Sequence, residues 1–220
     1  MTAAGLIRSA QWLSAPVVHA AGAALWTEPG LRQRYPAYLV AMHGLVSASV
    51  PLMEAAARGC RLLPPDDRTA VPLTAYLRAH IERERGHDDW LREDLTVLGP
   101  GVPGAAGGAA QEVAALVGAQ YYWVERFHPA CLLGYIAVLE GCSPDAGLTA
   151  RLPALTGLPA AAFRTLAWHA GHDPGHSGEL DRLLDLLPLS TAVAAAVARN
   201  VAFTALRSAR LLRYLAWADP

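Results

Sequence analysis

The sequence predicts an all-α bundle, and three observations carry that prediction. Apolar residues recur at helical spacing nearly throughout the 220 residues, with no convincing strand-type alternation. Alanine, leucine and arginine dominate, and all three favour helix. The 19 glycines and 16 prolines cluster mainly between the apolar stretches, with no triplet period of the collagen kind.

The elements follow in order. Residues 10–26 form an apolar stretch preceded by Arg8 and followed by small residues, as in a signal peptide, but Pro16 and His19 interrupt it. Residues 1–33 are therefore expected to be an N-terminal helical arm packed on a single domain that spans residues 1–220. Pro36 suits the first turn of a helix over 36–58, and Pro51 inside it is expected to kink it. Residues 62–69 are a connector. Pro72 opens a long helix to about residue 98, and 99–108 is a Gly/Pro loop. Helices are expected over 111–126 and 129–141, a short one over 148–155, and a long one over 159–187. Ser190 suits the cap of a last helix to Trp217. Within 159–187, the segment 171–176 holds two glycines and a proline, a conflict with helix of the kind that marks functional sites.

Composition narrows the function classes. Apolar residues are 53% and charged residues 17%, enough to build a large core and to exclude disorder. The net charge is −1 and no basic tail occurs, so nucleic acid and acidic membrane are not expected partners. No uninterrupted apolar run reaches the ~18 residues that a membrane span requires. All 18 basic residues are arginine, which excludes lysine Schiff-base chemistry and lysine-bearing phosphate loops. Cys60, Cys131 and Cys142 are odd in number and contain no Cys-x-x-Cys pair, so neither a disulfide framework nor a structural zinc site is expected, and a reducing cytoplasm fits.

The chemistry is expected from a repeated constellation. Glu84 and His87 are three apart, which on a helix lets both reach one point in a bundle interior. Asp173 and His176 repeat that spacing, and a histidine stands four residues before each pair, His80 and His169. Upstream of each copy an apolar helix ends in a carboxylate, Glu54 and Glu140. A dinuclear carboxylate site requires this arrangement: two glutamates from two helices and a carboxylate-x-x-His pair from each of two others. The four acids Glu54, Glu84, Glu140 and Asp173 match the charge of two divalent ions, and without metal their clustering would be strongly unfavourable. His87, His169 and His176 supply nitrogens, and such mixed ligands suit ferrous iron that binds dioxygen. His80 is an eighth ligand or, preferably, a partner of the ligands. His43 and His128 are read as core or rim residues, and His172 points away at helical spacing.

These motifs resemble the haem-oxygenase-like di-iron oxidase and oxygenase family of iron-containing redox enzymes. The resemblance rests on Val-Pro-Leu-Met-Glu54, on His80-x-x-x-Glu84-x-Gly-His87-x-x-Trp90-x-x-x-Asp94, on the segment from Gly134 to Gly141 with Glu140, and on His169-x-x-x-Asp173-x-x-His176. It implies a haem-oxygenase-like seven-helix bundle that binds two Fe(II) ions, with manganese or mixed Fe/Mn as the alternative. Position by position, the family's ligands fall on Glu54, Glu84, His87, Glu140, His169, Asp173 and His176. It implies an oxidoreductase that uses dioxygen on a small amino acid, amine or fatty acid in natural-product biosynthesis. Expected partners are the substrate, dioxygen, an external electron donor and a second copy in a homodimer.

Rival readings keep the bundle and change the chemistry. A haem oxygenase would use an axial histidine such as His43, and a thiaminase-like enzyme a nucleophilic cysteine such as Cys131. A non-catalytic iron-binding or partner protein, or a ferritin-like bundle, would use the same ligand logic. Arg207, Arg210 and Arg213, with Tyr121 and Tyr122, are candidates for meeting substrate charge, although surface arginines and core aromatics are the plainer reading.

Overall fold

The structure is a computed structural model and describes residues 2–27, 29–101 and 107–217; within it, the side chains of Asp173, Pro174 and His176 lie outside the described residues. Nine α-helices and two 3-10 turns make up the described chain, with no strand among the described residues. The helices are α1 Ala3–Leu25, α2 Leu31–Cys60, α3 Ala70–Glu84, α4 His87–Val97, α5 Gly107–Arg126, α6 Leu132–Gly141, α7 Ala146–Thr156, α8 Arg164–Leu186 and α9 Thr191–Trp217. The 3-10 turns, Pro129–Cys131 and Ala160–Phe163, lead into α6 and α8.

The last helix organises the bundle. α9 packs along α1 and also against α5 and α6, while α2 packs on α3, α4 and α5. The arm thus lies on the C-terminal helix, and its Arg8 also reaches Asp181 and Asp185 of α8 at 3.0 and 2.8 Å. Gly134 of α6 explains how closely α6 and α9 approach: a Cβ there would lie 2.8 Å from the Val197 carbonyl oxygen and from Asn200 Oδ1. Asn200 donates to Gln120 Oε1 at 2.8 Å, so this apolar seam also carries a buried polar link to α5.

Two elements differ from the sequence expectation in ways that affect the site. The stretch 72–98 is not one helix, because α3 ends at Glu84 and α4 begins at His87. Arg85 is extended (ψ 122°) and Gly86 is left-handed (φ 88°), a conformation that glycine adopts without a Cβ penalty. α2 starts at Leu31, inside the expected arm, and runs unbroken through Pro36 and Pro51. It also contains an 18-residue window of mean hydropathy 1.4, so by length and composition it could cross a bilayer. In the bundle its Tyr35, Leu39, Leu52 and Met53 are buried in the core instead.

Candidate metal centre

Four helices bring acidic and imidazole side chains to one place. α3 contributes His80 and Glu84 on successive turns, α4 contributes His87 from its first residue, α6 contributes Glu140 near its end, and α8 contributes His169. One donor atom each from Glu84, His87 and His169 lies within 4.8 Å of the others. Glu84 Oε2 is 3.1 Å from His87 Nδ1, and Glu84 Oε1 is 3.9 Å from His80 Nε2. His80 Nε2 is 3.1 Å from Glu140 Oε1, which joins the second carboxylate to the group. The imidazoles of His87 and His169 meet edge to face at 5.1 Å.

The group is buried, with His87 2% exposed, His80 4% and Glu84 8%. Two acids in so dry a place need positive partners. Burial resists the charge of Glu84, but the hydrogen bond from His87 and the nearby His169 and His80 outweigh it and hold the carboxyl below its ordinary range. Tyr76 of α3 packs on the His80 ring at 5.5 Å, and burial, reinforced by Glu140, pushes its phenol well up. The donor set fits a metal ion, since carboxylate and neutral imidazole are ligands for iron, manganese and zinc alike.

Surrounding contacts aim these side chains. Asp94 of α4, 1% exposed, accepts a hydrogen bond from the Thr165 N–H at 2.9 Å. That satisfies one of the orphan donors at the start of α8 and pins its first turn to α4. Arg164 adds an ion pair to Glu93 at 2.8 Å. Arg83 of α3 pairs with Glu179 of α8 at 2.7 Å. Trp90 stacks on His87 at 4.4 Å, and Trp168 meets the His87 ring at 4.6 Å and the His169 ring at 5.1 Å.

His80, Glu84, Glu140 and His169 also line a cavity of about 510 Å³ whose walls are mostly apolar, drawn from α1, α2, α6, α8 and α9. Its volume lies within the ~300–1,000 Å³ typical of small-molecule sites. The group can therefore act on an organic molecule held beside it.

Of the seven predicted ligands, Glu84, His87, Glu140 and His169 come together, and His80 joins them. Glu54 does not. It lies with Pro51 and Arg58 on the solvent stripe of α2, its side chain 48% exposed and 4.0 Å from Arg58. Helical phase is the reason: Leu52 and Met53 face the cavity, and the next residue is turned about 100° away. Ser49 and Tyr38, not a carboxylate, are the polar side chains that α2 presents to the cavity among the described residues. For Asp173 and His176, α8 is continuous through the Gly/Pro segment, and their side chains lie outside the described residues.

The other histidines have different surroundings. His128 lies 3.2 Å from Asp67 and accepts from the Ala130 N–H. His172 is exposed and stacks on Trp168 at 4.1 Å. His43 is not among the residues lining the cavity, whereas His19 of α1 is. Arg207 and Arg210 pair with Glu112 of α5 at 3.2 and 2.8 Å and do not line the cavity. The roles of Asp94, Trp168 and Tyr76 were not foreseen, although Asp94 and Trp90 stand at helical spacing from His87, a signal that marks one face of α4.

No family model matches the chain, and no curated protein matches it. Among solved structures it is similar to a domain of unknown function with a haem oxygenase-like fold from Shewanella denitrificans OS217, with a TM-score of 0.73 and 13% identity over 98% of this chain and 92% of that one. The fold is haem oxygenase-like. A likeness at that identity concerns the backbone architecture, because function resides in side chains placed on a fold. In this haem oxygenase-like bundle the acid–histidine group opens onto the internal cavity.

Proposed function

We propose that the protein is a non-haem di-iron oxidoreductase that uses dioxygen to oxidise a small organic substrate in a biosynthetic pathway, natural-product assembly above all. The observation that carries this reading is the meeting of Glu84, His87, Glu140, His169 and His80 beside an apolar cavity. The proposed ligands are Glu84, His87, Glu140 and His169, joined by Asp173 and His176 from the sequence pattern, with His80 a ligand or a hydrogen-bonding partner of Glu140. Three carboxylates leave a pair of divalent ions incompletely neutralised, which suits a centre that keeps positions for dioxygen. Iron would supply the electrons and the oxygen activation. Manganese, or one ion of each, would fit the same donors.

The chain's own residues bind and orient. The buried pairing of His87 with Glu84 sets the imidazole orientation, the usual role of a carboxylate beside a metal-bound histidine. Trp90 and Trp168 keep water from His87, and the cavity walls exclude it from the substrate. An external reductant, a homodimeric state and a cytoplasmic location belong to the same proposal.

The test is anaerobic loading with Fe(II), followed by oxygen and an electrode record of its consumption. Iron-dependent oxygen uptake, stimulated by a substrate and absent in His169→Ala, is the expected result. Stoichiometric iron without uptake across a panel of amines, amino acids and alcohols would instead favour an iron-binding protein. A Soret band on haem titration would favour a haem enzyme.

A further inference from the structure

Dioxygen needs four electrons to become two waters, and two ferrous ions give two on becoming ferric. Oxidation of a substrate gives the other two. When no substrate fills the cavity, the missing electrons come from oxidisable side chains close by. Met42, Met53 and Cys142 line the cavity, and thioethers and thiols are readily oxidised. A chain that meets dioxygen without substrate therefore needs an electron source that is restored more easily than its sulfurs.

One indole joins the acid–histidine group to the surface. Trp168 meets the His87 ring at 4.6 Å and the His169 ring at 5.1 Å. Trp168 is itself half-buried, and the exposed His172 stacks on it at 4.1 Å with the planes 8° apart. Neighbouring rings make a poorer connection. Trp90 stacks on His87 but lies 5.9 Å from the Arg164 guanidinium, and a cation held by the ring's electrons opposes the loss of one of them. Tyr76 packs on His80, but its hydroxyl is buried, and a phenol must release its proton when it is oxidised. Tyr135 lines the cavity and is 2% exposed, so it does not reach solvent.

We propose that Trp168 is a redox-active residue that supplies the missing electrons when no substrate is bound, and that a one-electron reductant in solution, of the ascorbate class, restores it at the surface. This inference rests on the reading of the group as a di-iron centre that uses dioxygen. Each passage takes one electron from the indole and releases its N–H proton. The reductant returns the electron and solvent the proton, so the side chain ends unchanged. Two passages complete the four electrons, and Met42, Met53 and Cys142 are spared.

The experiment is an oxygen pulse given without substrate to protein loaded anaerobically with Fe(II), after metal analysis has counted the iron. Freeze-quenched electron paramagnetic resonance without ascorbate should show an organic radical whose hyperfine pattern changes when the tryptophans are ring-deuterated. The signal should be lost in Trp168→Phe and kept in Trp90→Phe. With ascorbate, repeated pulses followed by peptide mass mapping should find Met42, Met53 and Cys142 largely unmodified in the parent. Trp168→Phe should oxidise them several-fold more. Trp168→Tyr restores an oxidisable ring and should return part of the protection, whereas ring packing alone would be served as well by phenylalanine. Circular dichroism and iron content of each variant are compared with the parent, and if Trp168→Phe fails to fold, the parent and Trp168→Tyr spectra decide. No tryptophan radical in the parent, a signal undiminished in Trp168→Phe, or equal sulfur oxidation in the two proteins overturns the proposal. Any of these results with two irons bound sinks the electron path alone. A parent that binds no iron sinks the redox reading and the path with it.

Discussion

Glu84 and His87 touch across a helix break: the first closes α3, the second opens α4, and their Oε2 and Nδ1 atoms are 3.1 Å apart. The left-handed Gly86 between them lets His87 start a new helix while staying within reach of the carboxylate. Gly86→Ala should test that arrangement. Nothing lies within 4 Å of a Cβ there, so the cost is conformational, about 1–2 kcal/mol. A thermal unfolding scan should record a drop of roughly 2–8 °C. Metal affinity should fall in parallel, because relaxing φ would swing His87 away from Glu84.

Asp94 is the contact that holds α8 to α4. Asp94→Ala leaves the buried Thr165 N–H without its acceptor and should cost about 1–3 kcal/mol in denaturant unfolding. Asp94→Asn keeps an oxygen in place and should retain most of that stability. A metal titration of the pair should show weaker binding in the alanine variant, since His169 sits one turn beyond Thr165.

Close approach of α6 to α9 at Gly134 sets the position of Glu140 further along α6. Gly134→Ala would push against the α9 backbone, which cannot yield as a flexible side chain can. Overpacking of this kind costs about 1–3 kcal/mol. Chemical unfolding should register that loss, whereas Gly118→Ala, where a Cβ meets nothing within 4 Å, should leave stability unchanged or slightly raise it.

The helices were legible because local propensity and apolar spacing agree along most of the chain. The Gly86 break was hidden by a periodic pattern that continues on both sides of it, although the glycine itself was in view. Glu54 misled for a related reason. Almost every residue from Leu52 to Ala57 is buried except Glu54, so the apolar run before it says little about helical phase. The solvent stripe of Pro51, Glu54 and Arg58 carries that information instead. Asp94 and Thr165 are separated by 71 residues, and no local rule pairs residues so far apart. Glu84, His87, Glu140 and His169 were legible as a group because their carboxylates and imidazoles stand out, at helical spacing, from largely apolar helices.

Acid should weaken one tether outside the site. Asp67 lies 3.2 Å from His128 and accepts from the Thr69 N–H and hydroxyl. Burial resists its charge, but Thr69 and His128 overcome that and hold its carboxyl below the ordinary range. A depressed folded value stabilises above the unfolded one, ~3.9 for Asp, and the contribution is lost as pH falls through the folded value. Asp67→Asn should therefore flatten the stability curve in that acidic window, read by thermal unfolding from about pH 6 to pH 2.5. A curve as steep as the parent's would assign the acid sensitivity elsewhere.

Anaerobic Fe(II) titration followed by metal analysis of the desalted protein tests the central claim most directly. Two irons per chain are expected for the parent and for Glu54→Ala, whose side chain faces solvent. Glu84→Ala, Glu140→Ala and His169→Ala should each retain one iron or none while keeping their helical circular dichroism. Full iron loading in those three variants, or loss of iron in Glu54→Ala alone, would contradict a centre built from α3, α4, α6 and α8.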